Sequence, residues 1–127
     1  MTGPNPTEGE LAILRVLWSL DAPATVREVH EVLSRGKETA YTTVLKMLTI
    51  MADKGLVRRD DSMRSHTYVA THTEPVVQAS LLQDLVRRAF SGSAAKLVQR
   101  ALDAESTSAE ELDAIGQLIA QAKARKQ

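Results

Sequence analysis

Apolar positions in the first half of the chain repeat every three or four residues in three stretches, then give way to short alternating runs. The first stretch, LAILRVLW, follows Thr7-Glu-Gly-Glu10. That sequence has the form of a capping box, in which a threonine side chain and a glutamate three residues later each accept from the other's backbone amide. It predicts a helix from about Glu8 to Ser19, with only Ala12, Arg15 and Ser19 on its polar arc and Trp18 as its bulkiest anchor. DAPA breaks this helix. A second box, Thr25-Val-Arg-Glu28, opens VREVHEVLS, where Val26, Val29, His30 and Leu33 form one stripe before Gly36 ends the element. A third helix is expected from near Thr39 to Asp-Lys-Gly55, with the glycine supplying a left-handed C-terminal cap.

After Gly55 the pattern changes. LVRRDDSMRSHTYVA holds two β-prone runs, Leu56–Arg59 and His66–Ala70, about a charged turn, which reads as a hairpin. Three helices and then a hairpin is the winged-helix order. From Glu74 the chain turns helical again in TEPVVQASLLQDLVRRAF, pauses at Ser91-Gly-Ser93, and resumes in AAKLVQRAL. Ser108-Ala-Glu-Glu111 is a third box before ELDAIGQLIAQAKARKQ, whose apolar side is Leu112, Ile115, Leu118, Ile119 and Ala122.

The expected fold is therefore mainly α with a small β-hairpin wing. Residues 1–72 form an N-terminal winged helix-turn-helix domain and residues 73–127 a C-terminal helical domain. The second half has one aromatic residue and many alanines, and a domain that small buries little surface alone. It is expected to take its core from a symmetry mate as a homodimer. Packing of these helices onto the first half of a monomer is the alternative.

The third helix carries the candidate chemistry. At about 100° per residue, Thr42, Thr43, Lys46, Thr49, Ile50 and Asp53 share an arc of about 120°. Val44, Leu45, Met47, Leu48, Met51 and Ala52 take the opposite side. A threonine-lysine face of this kind suits the DNA major groove, where threonine offers a hydroxyl to base or phosphate oxygens and a methyl to thymine. In the other reading, Thr42 and Thr43 satisfy first-turn amides and Lys46 is solvated. Tyr41 falls on the apolar side, either packing with its hydroxyl free for a phosphate or packing alone. In the hairpin, Arg64 at the turn and Arg58 and Arg59 on the first strand are candidates for gripping the DNA backbone.

Charge qualifies this picture. The 127 residues carry 16 basic and 16 acidic side chains, so attraction to phosphate depends on local placement. Lys37 to Arg64 holds six bases, Lys37, Lys46, Lys54, Arg58, Arg59 and Arg64, against four acids, Glu38, Asp53, Asp60 and Asp61. The absence of cysteine excludes disulfides, thiolate metal sites and a cysteine nucleophile. His30, His66 and His72 are too scattered for a metal site, with His30 expected to border the core, and no Ser/His/Asp pattern or glycine-rich phosphate loop suggests an enzyme. No cofactor is expected. No apolar run approaches a membrane span and MTGPNPTEGE is no signal peptide, so a cytoplasmic protein without membrane partners is expected.

AYTTVLKMLTIMADKGLV, with LAILRVLW, TVREVHEVL, the hairpin ending HTYVA and FSGSAAKLVQRAL before SAEELDAIGQLI, resembles the penicillinase repressor family of the BlaI and MecI type over roughly Glu8 to Ala122. The resemblance implies a winged-helix DNA-binding domain, a helical dimerisation domain and a homodimer that represses transcription at a short palindrome on double-stranded DNA. It places base reading on Thr42, Thr43 and Lys46, which join Tyr41, Arg58 and Arg64 from the reading of the residues as the candidate DNA-binding set. Three positions depart from the family pattern. Ile50 stands where members commonly have arginine, and Met63-Arg64 where the wing usually shows Gly-Arg. Arg100-Ala101 occupies the place of the Asn-Phe bond cut by a regulatory protease in members released that way.

Overall fold

The computed structural model describes residues 3–104 and 106–127. The order of elements is α1 (Glu8–Leu20), β1 (Ala24–Thr25), α2 (Val26–Gly36), α3 (Tyr41–Lys54), β2 (Val57–Asp60), β3 (Thr67–Ala70), α4 (Glu74–Ala89), α5 (Ala94–Asp103) and α6 (Ala109–Arg125). The chain divides into two compact units, Met1–Leu82 and Gln83–Gln127.

Capping fixes where the first helices begin. Thr7 and Glu10 complete the reciprocal exchange at α1, and Thr25 and Glu28 do the same at α2. Glu10 has a second task. Its side chain is 5% exposed and its Oε2 lies 2.8 Å from Lys54 Nζ, so the start of α1 is bound to the last turn of α3. Burial raises the Glu10 pKa, but hydrogen bonds from Lys54 and the Thr7 amide outweigh it and hold the carboxyl below its ordinary value.

α1 ends one residue later than its pattern predicts, with Asp21 in the left-handed region at φ 50°. Aspartate tolerates that conformation better than most residues with a Cβ. α3 ends on Gly55 at φ 81°, and Leu56 N donates to Met51 O at 2.9 Å, the bond that closes a glycine C-cap.

The link between α1 and α2 holds an element that the sequence pattern hides. Ala24 and Thr25 pair antiparallel with β3 and make a three-stranded sheet in the order β1-β3-β2. Both strands start one residue later than their β-prone runs suggest, and the second ends at Ala70 as expected, with Val57 opposite Ala70 and Asp60 opposite Thr67.

The core of the first unit gathers Ile13, Leu14 and Leu17 from α1, Val26 and Val29 from α2, and Val44, Leu48 and Met51 from α3, closed by Val57 and Tyr68 from the sheet. Trp18 packs at its margin, and its Nε1 donates to His72 O at 2.9 Å, tying α1 to the segment that follows β3. The first turns of α4 belong with this unit. Val77 is 1% exposed, and a Cβ on Gly3 would meet Ser80 Oγ at 2.6 Å, so the N-terminal segment passes against α4 too closely for a side chain.

In the second unit, Ser93 caps α5 and Ser108 caps α6, each accepting from the amide three residues on. Only the serine half of the box expected at Ser108 and Glu111 is made. Among the described residues of this unit none is buried. Val86, Phe90, Leu97, Ile115 and Ala122 are partly covered, whereas Leu85, Val98, Leu102, Leu112, Leu118 and Ile119 are exposed.

Candidate nucleic-acid interface

The first turn of α3 differs from those of α1, α2, α5 and α6. Its N-cap is Ala40, an extended residue with no oxygen in its side chain, and no side-chain bond caps the helix. Thr42 and Thr43 are exposed, and neither bonds to the first-turn amides. The capping role that their position allowed is therefore not taken. Four amides begin any helix without an intrahelical partner four residues back; here Thr43 N donates to Ala40 O at 3.1 Å and no protein side chain meets the others, so an outside acceptor can. Lys46 is exposed one turn on, followed by Thr49, Ile50 and Asp53 on the same arc. The Thr49 hydroxyl turns back on its own helix, donating to Leu45 O at 2.9 Å.

Behind this face Val44, Leu48 and Met51 are buried and Met47 and Ala52 partly so. Leu45 departs from its expected place in the apolar interior and is 42% exposed. It lies at the edge of the apolar arc, one turn after Tyr41, and that edge forms the wall of a cleft instead of entering the core. The cleft, of about 890 Å³, runs between α2, the start of α3 and the hairpin. Tyr41 and Leu45 line one side and Arg64, Ser65 and His66 the other, with Arg27 on α2 at the margin.

His30 borders the core, as its stripe implied, and sets the turn from α2 to α3. Its Nε2 lies 2.7 Å from Thr39 O, a contact that requires the proton on Nε2. The Tyr41 ring meets the imidazole edge to face at a centroid distance of 5.7 Å. Tyr41 is thus packed and still 46% exposed, a combination that leaves both of its sequence readings open.

The hairpin sorts its arginines by strand alternation. Arg59 pairs with Tyr68, which lines the cleft, whereas Arg58 pairs with Val69 and lines a separate depression of about 640 Å³ beside Trp18 and Asp21. Tyr41 and Arg64 therefore share the cleft beside the Thr42, Thr43 and Lys46 face, and Arg58 lies on the other side of the sheet. Arg59 is engaged internally. The Tyr68 hydroxyl and then the Asp61 carboxylate push its pKa further up, with Nε 2.7 Å from Asp61 Oδ1. Asp61 also lies 3.5 Å from His66 Nδ1. Asp60 is held below its ordinary pKa by the Ser62 side chain and by the Ser62 amide at 2.9 Å.

Arg27 is a charged cleft residue that sequence reasoning missed, and Glu31 lines the same cleft. Arg27 lies inside the second capping box, opposite the apolar stripe, and that polar position was its only signal. Arg100 and Ala101 lie within α5, both exposed. Among the described residues no three His, Asp or Glu side chains gather as metal ligands, and no helix is long and apolar enough to cross a membrane.

Three helices with an open-ended third, followed by a hairpin whose sheet is completed from the α1–α2 link, define the winged-helix class. The chain belongs to the penicillinase repressor family, whose model, "Penicillinase repressor", matches residues 6–121. Two relatives named "Transcriptional regulator BlaI", from Mycobacterium tuberculosis strains CDC 1551 / Oshkosh and ATCC 25618 / H37Rv, are each 35% identical over 115 residues, spanning 91% of this chain and 83% of theirs. The fold is shared with the solved structure described as "the complex structure of hsRosR-S4", at a TM-score of 0.53 and 17% identity over 97% of this chain and 94% of that one.

Proposed function

We propose that the chain is a homodimeric transcriptional repressor that binds a short palindromic operator in double-stranded DNA, with α3 in the major groove and the hairpin on the backbone. The observation that carries this reading is the uncapped first turn of α3, where Thr42, Thr43 and Lys46 stand exposed while the rest of the helix is anchored in the core. Hydroxyl, methyl and ammonium groups there match base edges, and the open amides match a phosphate. Tyr41 and Arg64 flank that face across the cleft and take the adjoining strand. Arg58, on the other side of the sheet, contributes least of the candidate residues.

The second unit supports a dimer. Amphipathic helices with no buried residue among those described from Gln83 onward need a partner surface, and a second copy of the chain supplies it while setting two α3 helices about one DNA turn apart. No catalytic step enters this reading.

A mobility-shift titration on duplexes recovered by the protein from random-sequence DNA tests it. Thr43→Ala and Lys46→Ala each cost about 1 to 3 kcal/mol per lost base contact and relax preference at one position of each half-site. Arg64→Ala weakens binding to all sequences alike and lowers the salt slope by about one. Unchanged affinity and selectivity in all three variants would remove α3 as the reading element.

A further inference from the structure

Strand alternation sets Arg58 apart from the DNA face, and the depression of about 640 Å³ that it borders has no part in the reading above. The floor of this depression is apolar. Trp18 lines it beside Pro23 and Val69, with the indole held in place by its bond to His72 O. Charges of both signs stand around that floor: Arg58 on β2, Asp21 at the end of α1 and Glu74 at the start of α4. Among the described residues none of the three forms an ion pair. α1 carries no basic residue in its last turn, so the partial negative charge of its C-terminal end adds to that of Asp21. Thr71 belongs to the same lining, and its Oγ1 is closed off from bulk water without a hydrogen-bond partner among the described residues. A buried hydroxyl left unpaired is uncommon, and the polar head of a bound molecule can satisfy it.

We propose that this depression binds a free α-amino acid with an apolar side chain. Its carboxylate pairs with Arg58, its ammonium with Asp21 and the C-terminal end of α1, and its side chain covers the Trp18 ring. An apolar floor with a few charged groups at its margin is the usual make-up of a small-molecule site, and the volume is in the usual range. A zwitterion is favoured over a simple acid or a simple amine because the site offers both signs of charge, and a ligand with one of them leaves the other unmet. Arg58 and Arg59 face opposite sides of the hairpin, so the depression can be filled while α3 holds DNA. That compatibility suits a co-regulator site, and it alone rests on the DNA-binding reading above.

The probe is phenylalanine, titrated into the full chain with the indole N–H resonance of Trp18, the only tryptophan, as the readout. The resonance is expected to shift and saturate with a dissociation constant of about 1 mM or lower. Without the ammonium (3-phenylpropionate) or without the carboxylate (phenethylamine), binding is expected to be about tenfold weaker. Arg58→Gln is expected to weaken phenylalanine about tenfold and leave phenethylamine as it was. Asp21→Asn, which tolerates the left-handed C-cap, is expected to weaken phenylalanine and leave 3-phenylpropionate as it was. Equal affinity for the three probes overturns the proposal, as does a Trp18 resonance unmoved by about 10 mM phenylalanine. Undiminished phenylalanine affinity in Arg58→Gln also overturns it. Loss of the shift in the presence of a bound duplex overturns the co-regulator role and leaves the amino-acid site standing. A chain that binds no duplex sinks the DNA-binding reading alone, since the titrations contain no DNA.

Discussion

The first unit closes on itself and the second does not. In Met1–Leu82, Ile13, Val29, Val44, Leu48 and Met51 are fully enclosed, and a Glu10–Lys54 pair and a Trp18–His72 bond fasten the margins. In Gln83–Gln127 the helices are also capped by side chains and periodic, yet every described residue keeps contact with solvent. Local signals are therefore present in both units and tertiary burial is not. Capping and periodicity specify a helix, whereas stability comes from what its apolar face meets. A unit that folds alone can hold α3 rigid for recognition, and one that needs a partner can link folding to assembly.

The largest effect expected from breaking this contrast is in the closed unit. Leu48→Ala, at a fully buried position, removes about 2 to 5 kcal/mol of stability through lost transfer energy and the cavity left behind. Trp18 is the only tryptophan, so its fluorescence reports the unfolding of the first unit separately. That transition is expected to move to lower denaturant in Leu48→Ala. Next in size is Leu118→Asp in the open unit. A carboxylate in the proposed dimer surface costs on the order of 2 to 4 kcal/mol of association, read by sedimentation as a dissociation constant raised 30-fold or more. Helicity should fall with dilution while Trp18 fluorescence stays native. A variant that remained dimeric would place the partner surface elsewhere than on α6.

The same contrast explains what the sequence made legible. Helix starts at Thr7, Thr25 and Ser108, the glycine stop at Gly55 and the face carrying Thr42, Thr43 and Lys46 depend on residues within a few positions of each other, and all were visible in the pattern. The strand at Ala24–Thr25 depends on pairing with Thr67 and Tyr68, some forty residues away, and nothing in DAPAT announces it. Leu45 misled because periodicity assigns a side of the helix but not what lies against it. Arg58 and Arg59 looked equivalent as neighbours. Their separation follows from strand alternation plus the hairpin register, which the two β-prone runs alone do not give. Arg27 was invisible as a site residue because its cleft is made by three elements that meet only in the folded unit.

The smallest effect sharpens the contrast through pH. Among the described residues Glu10 is the one buried charge of the core unit, and its carboxyl titrates below the ordinary value of 4.5 because, although burial disfavours the ionised form, Lys54 and the Thr7 amide favour it more. A carboxyl with a depressed native pKa stabilises the fold fully above its unfolded pKa, and that contribution disappears as pH falls through the native value. Trp18-monitored stability should therefore hold from neutral pH down to the ordinary carboxylate range and decline as pH falls below it. Glu10→Gln should cost about 1 kcal/mol at neutral pH, by loss of the charge-assisted bonds to Lys54, and should flatten that decline. The second unit has no corresponding buried acid among its described residues. The Glu10→Gln change should thus move the acid limb of the fluorescence signal and leave the dimer dissociation constant at neutral pH within about twofold. An acid limb unchanged in Glu10→Gln would mean that the Glu10–Lys54 pair does not couple α1 to α3 in solution.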